Sequence, residues 1–147
     1  MSRFTQGTYE VINKKKYVGD GNPRYLSSWE LHLFRFLDRN THIIQWGSEN
    51  VVIPYYSNAD GRNRRYMVDI FVKYRNKDGD IVKELIEVKP YAQTIPPTQS
   101  GKKKKSTYLK ELYTYQVNMD KWKEAQKFAR KRKMEFRILT EKNLFRQ

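Results

Sequence analysis

Apolar and polar positions change period several times along the 147-residue chain, and each change marks an element. The first 25 residues are polar, with Lys14-Lys15-Lys16 and Gly19-Asp20-Gly21-Asn22-Pro23, and read as an extended basic arm. Ser27 followed three residues later by Glu30 is a capping box. It starts a helix expected to reach Asp38 or Asn40 and to bury Leu33, Phe34 and Leu37. Ile43 to Trp46 and Val51 to Tyr55 follow as one or two strands about a turn at Gly47 to Asn50. Tyr66, Val68, Ile70, Val72 and Tyr74 then alternate with Met67, Asp69, Phe71 and Lys73, which puts Asp69 on one face of a strand. A third run, Ile81 to Lys89, stops at Pro90.

From Tyr91 to Ser106 the pattern is that of a long, mobile basic loop with Pro96-Pro97, Gly101 and four consecutive lysines, Lys102 to Lys105. A helix from about Thr107 to Arg130 carries Leu109, Leu112, Met119 and Trp122 as its apolar stripe, with Lys and Arg in its last turn as the macrodipole favours. Phe136 to Leu139 closes as a strand, and a right-handed crossover makes it parallel to the strand before the helix. The order α-β-β-β-α-β predicts a single α/β domain, a mixed central sheet flanked by helices.

Charge narrows the partners. Lys and Arg number 30 against 16 Asp and Glu, a net +14, which suits nucleic acid or an anionic membrane surface. With 38% hydrophobic and 14% aromatic residues the chain is too apolar for a disordered basic tail. The absence of cysteine excludes disulfides, a thiolate zinc site and a cysteine nucleophile. No apolar run approaches a membrane span and no secretory signal core opens the chain, so a soluble, non-secreted protein is expected.

The hairpin turn is the most informative local feature. Asn76, Lys77, Asp78 and Gly79 suit a three-residue loop with glycine in the left-handed position. Asn76 then faces Asp80, and stepping back along both strands brings Asp69 opposite Glu87, with Cβ atoms roughly 4.5 to 5.5 Å apart. Facing carboxylates repel unless a cation sits between them, and oxygen ligands at that spacing suit Mg²⁺. Lys89, two residues beyond Glu87, points to the same face and there would stabilise charge on a phosphate. Asp69 and Glu87 also read as merely solvated. Glu30 is explained by its cap alone. Gln116, between Leu112 and Met119 on the stripe, reads equally as a satisfied core amide.

Asp69 and Glu87-Val88-Lys89, with a glutamate on a preceding helix and a helix following, resemble the PD-(D/E)xK nuclease superfamily in its TnsA-like branch. Six segments in order, Ser27 to Glu30, Trp46 to Tyr55, Asp60 to Tyr66, Glu87 to Pro90, Asn118 to Trp122 and Ile138 to Glu141, resemble the head-completion nucleases of tailed bacteriophages. The resemblance implies a restriction-endonuclease-like core. It also implies that Asp69 and Glu87 hold Mg²⁺ (Mn²⁺ substituting), that Glu30 is the helix-borne acid and a further metal residue, that Lys89 is the catalytic lysine, and that Gln116 belongs to the site. The motif's proline is Val68 here, a position that holds no ligand.

The resemblance implies endonuclease cleavage, with exonuclease activity as a second expectation, of packaged double-stranded DNA in head completion and head–tail joining. The expected setting is the host cytoplasm during assembly, then the virion, with a portal or neck protein as partner. Arg62, Arg64 and Arg65 and the lysines Lys102, Lys103, Lys104 and Lys105 are the candidate DNA-binding groups, holding phosphates without reading sequence. The lysine run alone reads also as a solvated loop. Two further readings are a DNA-binding plug at the portal or neck, and a transposon-end endonuclease, for which a further C-terminal domain is expected.

Overall fold

In the computed structural model, which describes residues 5–144, a mixed four-stranded sheet lies at the centre, in the order β3-β4-β5-β6. Strands β3 (Ile43–Ser57), β4 (Arg62–Arg75) and β5 (Ile81–Val88) form an antiparallel meander, and β6 (Glu135–Leu139) joins parallel to β5. Helix α1 (Ser28–Arg39) starts at the expected cap and buries Leu33, Phe34 and Leu37 against Trp46, Ile70 and Ile86. Helix α2 (Lys105–Lys131) packs Trp122, Ala125 and Ala129 against Ile53, Val68 and Leu85. Adjacent residues Leu85 and Ile86 belong to different clusters, so the two helices cover opposite faces. The expected order and sheet are present; a short α3 (Glu141–Leu144) follows β6.

Strand β3 is one continuous strand, with a bulge where a turn at Gly47 to Asn50 was expected. Its register passes from Ser48 opposite Ile70 to Val51 opposite Val68, so Glu49 and Asn50 together face one residue, Asp69. This is a β-bulge, with Glu49 in the left-handed region at φ 53°. Gly47 permits it: a Cβ there would meet the Asn50 side chain at 2.7 Å. Across the bulge β4 changes its facing, because Tyr66 and Val68 pack in the α2 cluster whereas Ile70 and Val72 pack in the α1 cluster.

The N-terminal arm is not extended. Of its residues, 1–4 lie outside the described part; the rest pack on α1, with β1 (Gly7–Thr8) pairing antiparallel to β2 (Arg24–Tyr25) and Tyr9 and Val11 buried in the core. The fully buried Asp38 carboxylate ties them down, accepting from the Tyr9 hydroxyl at 2.6 Å and from the N–H groups of Ile12 at 2.8 Å and Asn13 at 3.1 Å. Lys16 Nζ donates to the carbonyls of Asp38 and Asn40 near the helix end. Two apolar residues two apart suffice to bury the segment when a charged anchor collects its backbone.

Helix α2 begins two residues before its expected start and buries only the C-terminal part of the expected stripe, with Trp122 in the core and Met119 packed against it. Leu109 is 53% exposed and Leu112 37%, while Val117, Asn118, Trp122, Ala125 and Ala129 are buried. The small Ala125 and Ala129 let the C-terminal half approach the sheet, and the N-terminal half runs beside the 91–97 segment, whose Tyr91–Gln93 forms a 3-10 turn. Gln116 is therefore exposed, not on the buried stripe, and donates to Asp120 Oδ1 at 2.9 Å. Among the described residues no helix is long and apolar enough to cross a membrane.

Candidate active site

The β4–β5 turn sets the site. Asn76 N–H donates to Asp80 O at 2.9 Å, Gly79 N–H donates to Asn76 O at 3.0 Å, and Gly79 has φ 86°. This is the three-residue loop expected from the sequence, and its register runs from Arg75 opposite Ile81 to Ile70 opposite Ile86. The ladder stops one pair short of Asp69 and Glu87. There the bulge of β3 has turned β4, and Asp69 replaces the next ladder bond by accepting the Val88 N–H on its Oδ2 at 2.7 Å.

Glu30, Asp69, Glu87 and Lys89 line one open cavity of about 320 Å³, walled by Trp29 and Gln93. Gln116 is not among its lining residues. Each carboxylate has one oxygen fixed by a protein donor. Glu30 Oε1 accepts the Leu26 N–H at 2.7 Å while its own N–H donates to Ser27 Oγ at 3.2 Å, so the cap aims the side chain into the site. Glu87 Oε2 accepts the Tyr66 hydroxyl, and its Oε1 lies 3.7 Å from Lys89 Nζ. Among the described residues the second oxygens of Glu30 and Asp69 accept no hydrogen bond.

The electrostatics match. Burial, then the charge of Glu87, pushes the Asp69 carboxyl well above the usual carboxylate range against the Val88 hydrogen bond. Glu30 is raised chiefly by burial, with Glu49 and Glu87 adding to it. Carboxylates pressed together at this cost are a hard-cation donor set. Among the described residues no group of three or more acidic or imidazole side chains is arranged to hold a metal ion. Mg²⁺ needs none, because it binds through one or two carboxylates and keeps waters and phosphate oxygens as its other ligands. Asp69 and Glu87 fit that demand.

Residues 40–141 match the family described as TnsA-like endonuclease, N-terminal. The chain belongs to this TnsA-like endonuclease family. It is also similar to the head completion nuclease of Enterobacteria phage T4, 46% identical over 145 residues, which covers 94% of this chain and 92% of that protein. Its mixed sheet between helices is the restriction-endonuclease-like architecture. The TnsA-like match takes in Asp69, Glu87 and Lys89, whereas α1 with Glu30 precedes it and reaches the site through the fold.

Two residues around Glu87 are not singled out by the sequence. Tyr66 holds Glu87, and Lys121 on α2 stands with its Nζ 5.4 Å from the centre of the Tyr66 ring. Tyr66 looks like any core residue of an alternating strand, and Lys121 is one of many lysines; only the packing of α2 on β4 joins them to Glu87.

The basic groups divide. Arg62 and Arg65 are exposed, as are Lys102, Lys104 and Lys105. Arg64 pairs with Asp60 at 2.6 Å, and Asp60 also accepts from Tyr113 and Ser57. Asp120 accepts from the Asn58 backbone and side chain and from Gln116. Arg64 and Gln116 thus belong to a network tying the β3–β4 turn to α2. Lys103 is committed likewise, to Thr98 O at 2.7 Å and Glu111 at 2.8 Å.

Proposed function

We propose that this phage head-completion nuclease hydrolyses phosphodiester bonds of double-stranded DNA at a Mg²⁺-dependent site formed by Asp69, Glu87 and Lys89, with Glu30 as a further acid. The observation that supports this reading is the convergence of the three carboxylates, each with one oxygen held by a protein donor, beside a lysine in one cavity. A bound Mg²⁺ would polarise the phosphate and supply a water ready to attack.

This chain's own groups do the rest. Tyr66 and the Val88 N–H fix the carboxylate orientations, so the ligand geometry exists before DNA arrives. Lys89 faces the Glu87 oxygen turned into the site, where its ammonium stabilises charge on the phosphoryl oxygens. Burial holds the Glu30 carboxyl above the usual carboxylate range, which favours proton uptake there over an exposed carboxylate. Arg62, Arg65 and the exposed lysines Lys102, Lys104 and Lys105 bind flanking phosphates without reading bases. Mn²⁺ is expected to substitute. The enzyme acts in the host cytoplasm during assembly and then at the virion, beside a portal or neck protein.

Conversion of supercoiled plasmid to nicked and linear forms tests the reading. Cleavage is expected with Mg²⁺ and not with chelator; equal cleavage in chelator removes the metal from the account.

The exposed apolar row of Leu109, Leu112 and Tyr113 on α2 favours a second reading, a DNA-binding plug docked on a neck protein. In that case particles carrying Lys89→Ala mature normally.

A further inference from the structure

We propose that Lys121 contacts the DNA phosphate at the Asp69/Glu87 pair, a second substrate-contacting lysine beside Lys89. The inference rests on the nuclease reading above and deepens it, because it assigns a role in the same site to a residue outside the strand motif.

Glu87 is flanked from both of its oxygens. Lys89 Nζ lies 3.7 Å from Oε1, and Oε2 accepts the hydroxyl of Tyr66, over whose ring Lys121 Nζ stands at 5.4 Å. The charges that act on the Lys121 ammonium are those of Glu87, Lys89, Asp69 and Arg64, which places it in the field of the catalytic cluster. The helix around it is anchored, with Val117, Asn118, Trp122 and Ala125 all buried, so its direction is set by core packing.

Lys121 is half-buried, yet among the described residues its ammonium has no hydrogen bond and no ion pair; its contact is the ring face. A lysine placed to neutralise Glu87 would sit within ion-pair distance of it, and Lys89 already does. An ammonium taken partly out of water without an acceptor is costly until an anion arrives. The anion that this site handles is a phosphodiester. In phosphoryl transfer charge spreads over the non-bridging oxygens, and a second ammonium on α2, beside Tyr66 and outside the cavity's lining, would add to the stabilisation that Lys89 supplies.

The test compares Lys121→Met and Lys121→Arg with the wild type in three measurements: cleavage of a labelled duplex at saturating DNA and Mg²⁺, duplex affinity in chelator across a salt series, and thermal unfolding. Lys121→Met is expected to cleave about a hundredfold more slowly, with Lys121→Arg recovering most of the loss. The salt slope of binding should flatten by about 0.9 in Lys121→Met, one phosphate contact, with unfolding unchanged. Wild-type rates and slopes in Lys121→Met overturn the proposal. So does a slower rate with an unchanged slope, which makes Lys121 a support for Tyr66 and not a phosphate contact. A lowered unfolding temperature that arginine fails to rescue makes it structural and also overturns it. If the wild type itself does not cleave, the nuclease reading fails, and the salt slope still decides whether Lys121 meets phosphate.

Discussion

Asp69 accepts the backbone N–H of Val88 at the point where the β4–β5 ladder ends, so a carboxylate of the candidate site occupies the place of the next strand-to-strand bond. The bond fixes Oδ2, while burial and Glu87 make ionisation unfavourable. The folded state therefore binds this proton more tightly than the unfolded chain. Its contribution to stability falls as pH rises past the ordinary carboxylate value of about 4 and through the raised folded value. Asp69→Asn keeps an acceptor for Val88 and removes the charge. It is expected to stabilise the metal-free protein at neutral pH by about 1 kcal/mol while abolishing cleavage, a trade of function for stability. Thermal unfolding in chelator checks it; a less stable variant contradicts the strain assigned to the pair.

Asp38 has the opposite sign. Burial pushes its carboxyl up, but hydrogen bonds from Tyr9, Ile12 and Asn13 outweigh that and hold it below the usual range. Its stabilisation is complete above the unfolded value of about 4 and is lost as pH falls through the folded one. Asp38→Ala orphans a tyrosine hydroxyl and two backbone N–H groups, and is expected to cost about 3 kcal/mol in denaturant unfolding. An unaltered midpoint would mean the N-terminal segment contributes nothing to the core.

Tyr66→Phe leaves Glu87 Oε2 without its donor. A donor of this kind tunes a ligand, so the half-saturating Mg²⁺ concentration for cleavage should rise about tenfold or more, with a smaller change in rate at saturating metal. A metal titration of activity separates the two; a changed plateau with an unmoved midpoint assigns Tyr66 to the chemical step instead.

The hairpin was legible because its register depends on four adjacent residues, Asn76 to Gly79, whose turn chemistry leaves one loop length. The capped start of α1 is local in the same way, and there a glutamate that looked like a cap proves to point into the site while capping. What could not be read depends on contacts between distant segments. The bulge at Glu49 and Asn50 is visible only against β4, and it decides which way Asp69 faces. Gln116 was misplaced because periodicity identifies a stripe but not how much of a long helix overlies the sheet. Tyr66 and Lys121 lie in segments that resemble the head-completion nucleases, but neither spacing nor pattern gives them a role.

Duplex binding should be strongly salt dependent and nearly indifferent to sequence. Arg62→Ala and Arg65→Ala are each expected to flatten the salt slope by about 0.9 uniformly across sequences. Arg64→Ala should instead lower stability, because that guanidinium is held by Asp60. Fluorescence anisotropy on two unrelated duplexes distinguishes them, and sequence-dependent losses would contradict a phosphate-only contact.

Lys89→Ala separates cleavage by Asp69, Glu87 and Lys89 from every other role of the site, because lysine is neither a core residue nor a metal ligand. Plasmid cleavage in Mg²⁺ should fall by about a thousandfold or more while duplex affinity in chelator stays within about threefold of the wild type. Cleavage at the wild-type rate by Lys89→Ala would contradict the account.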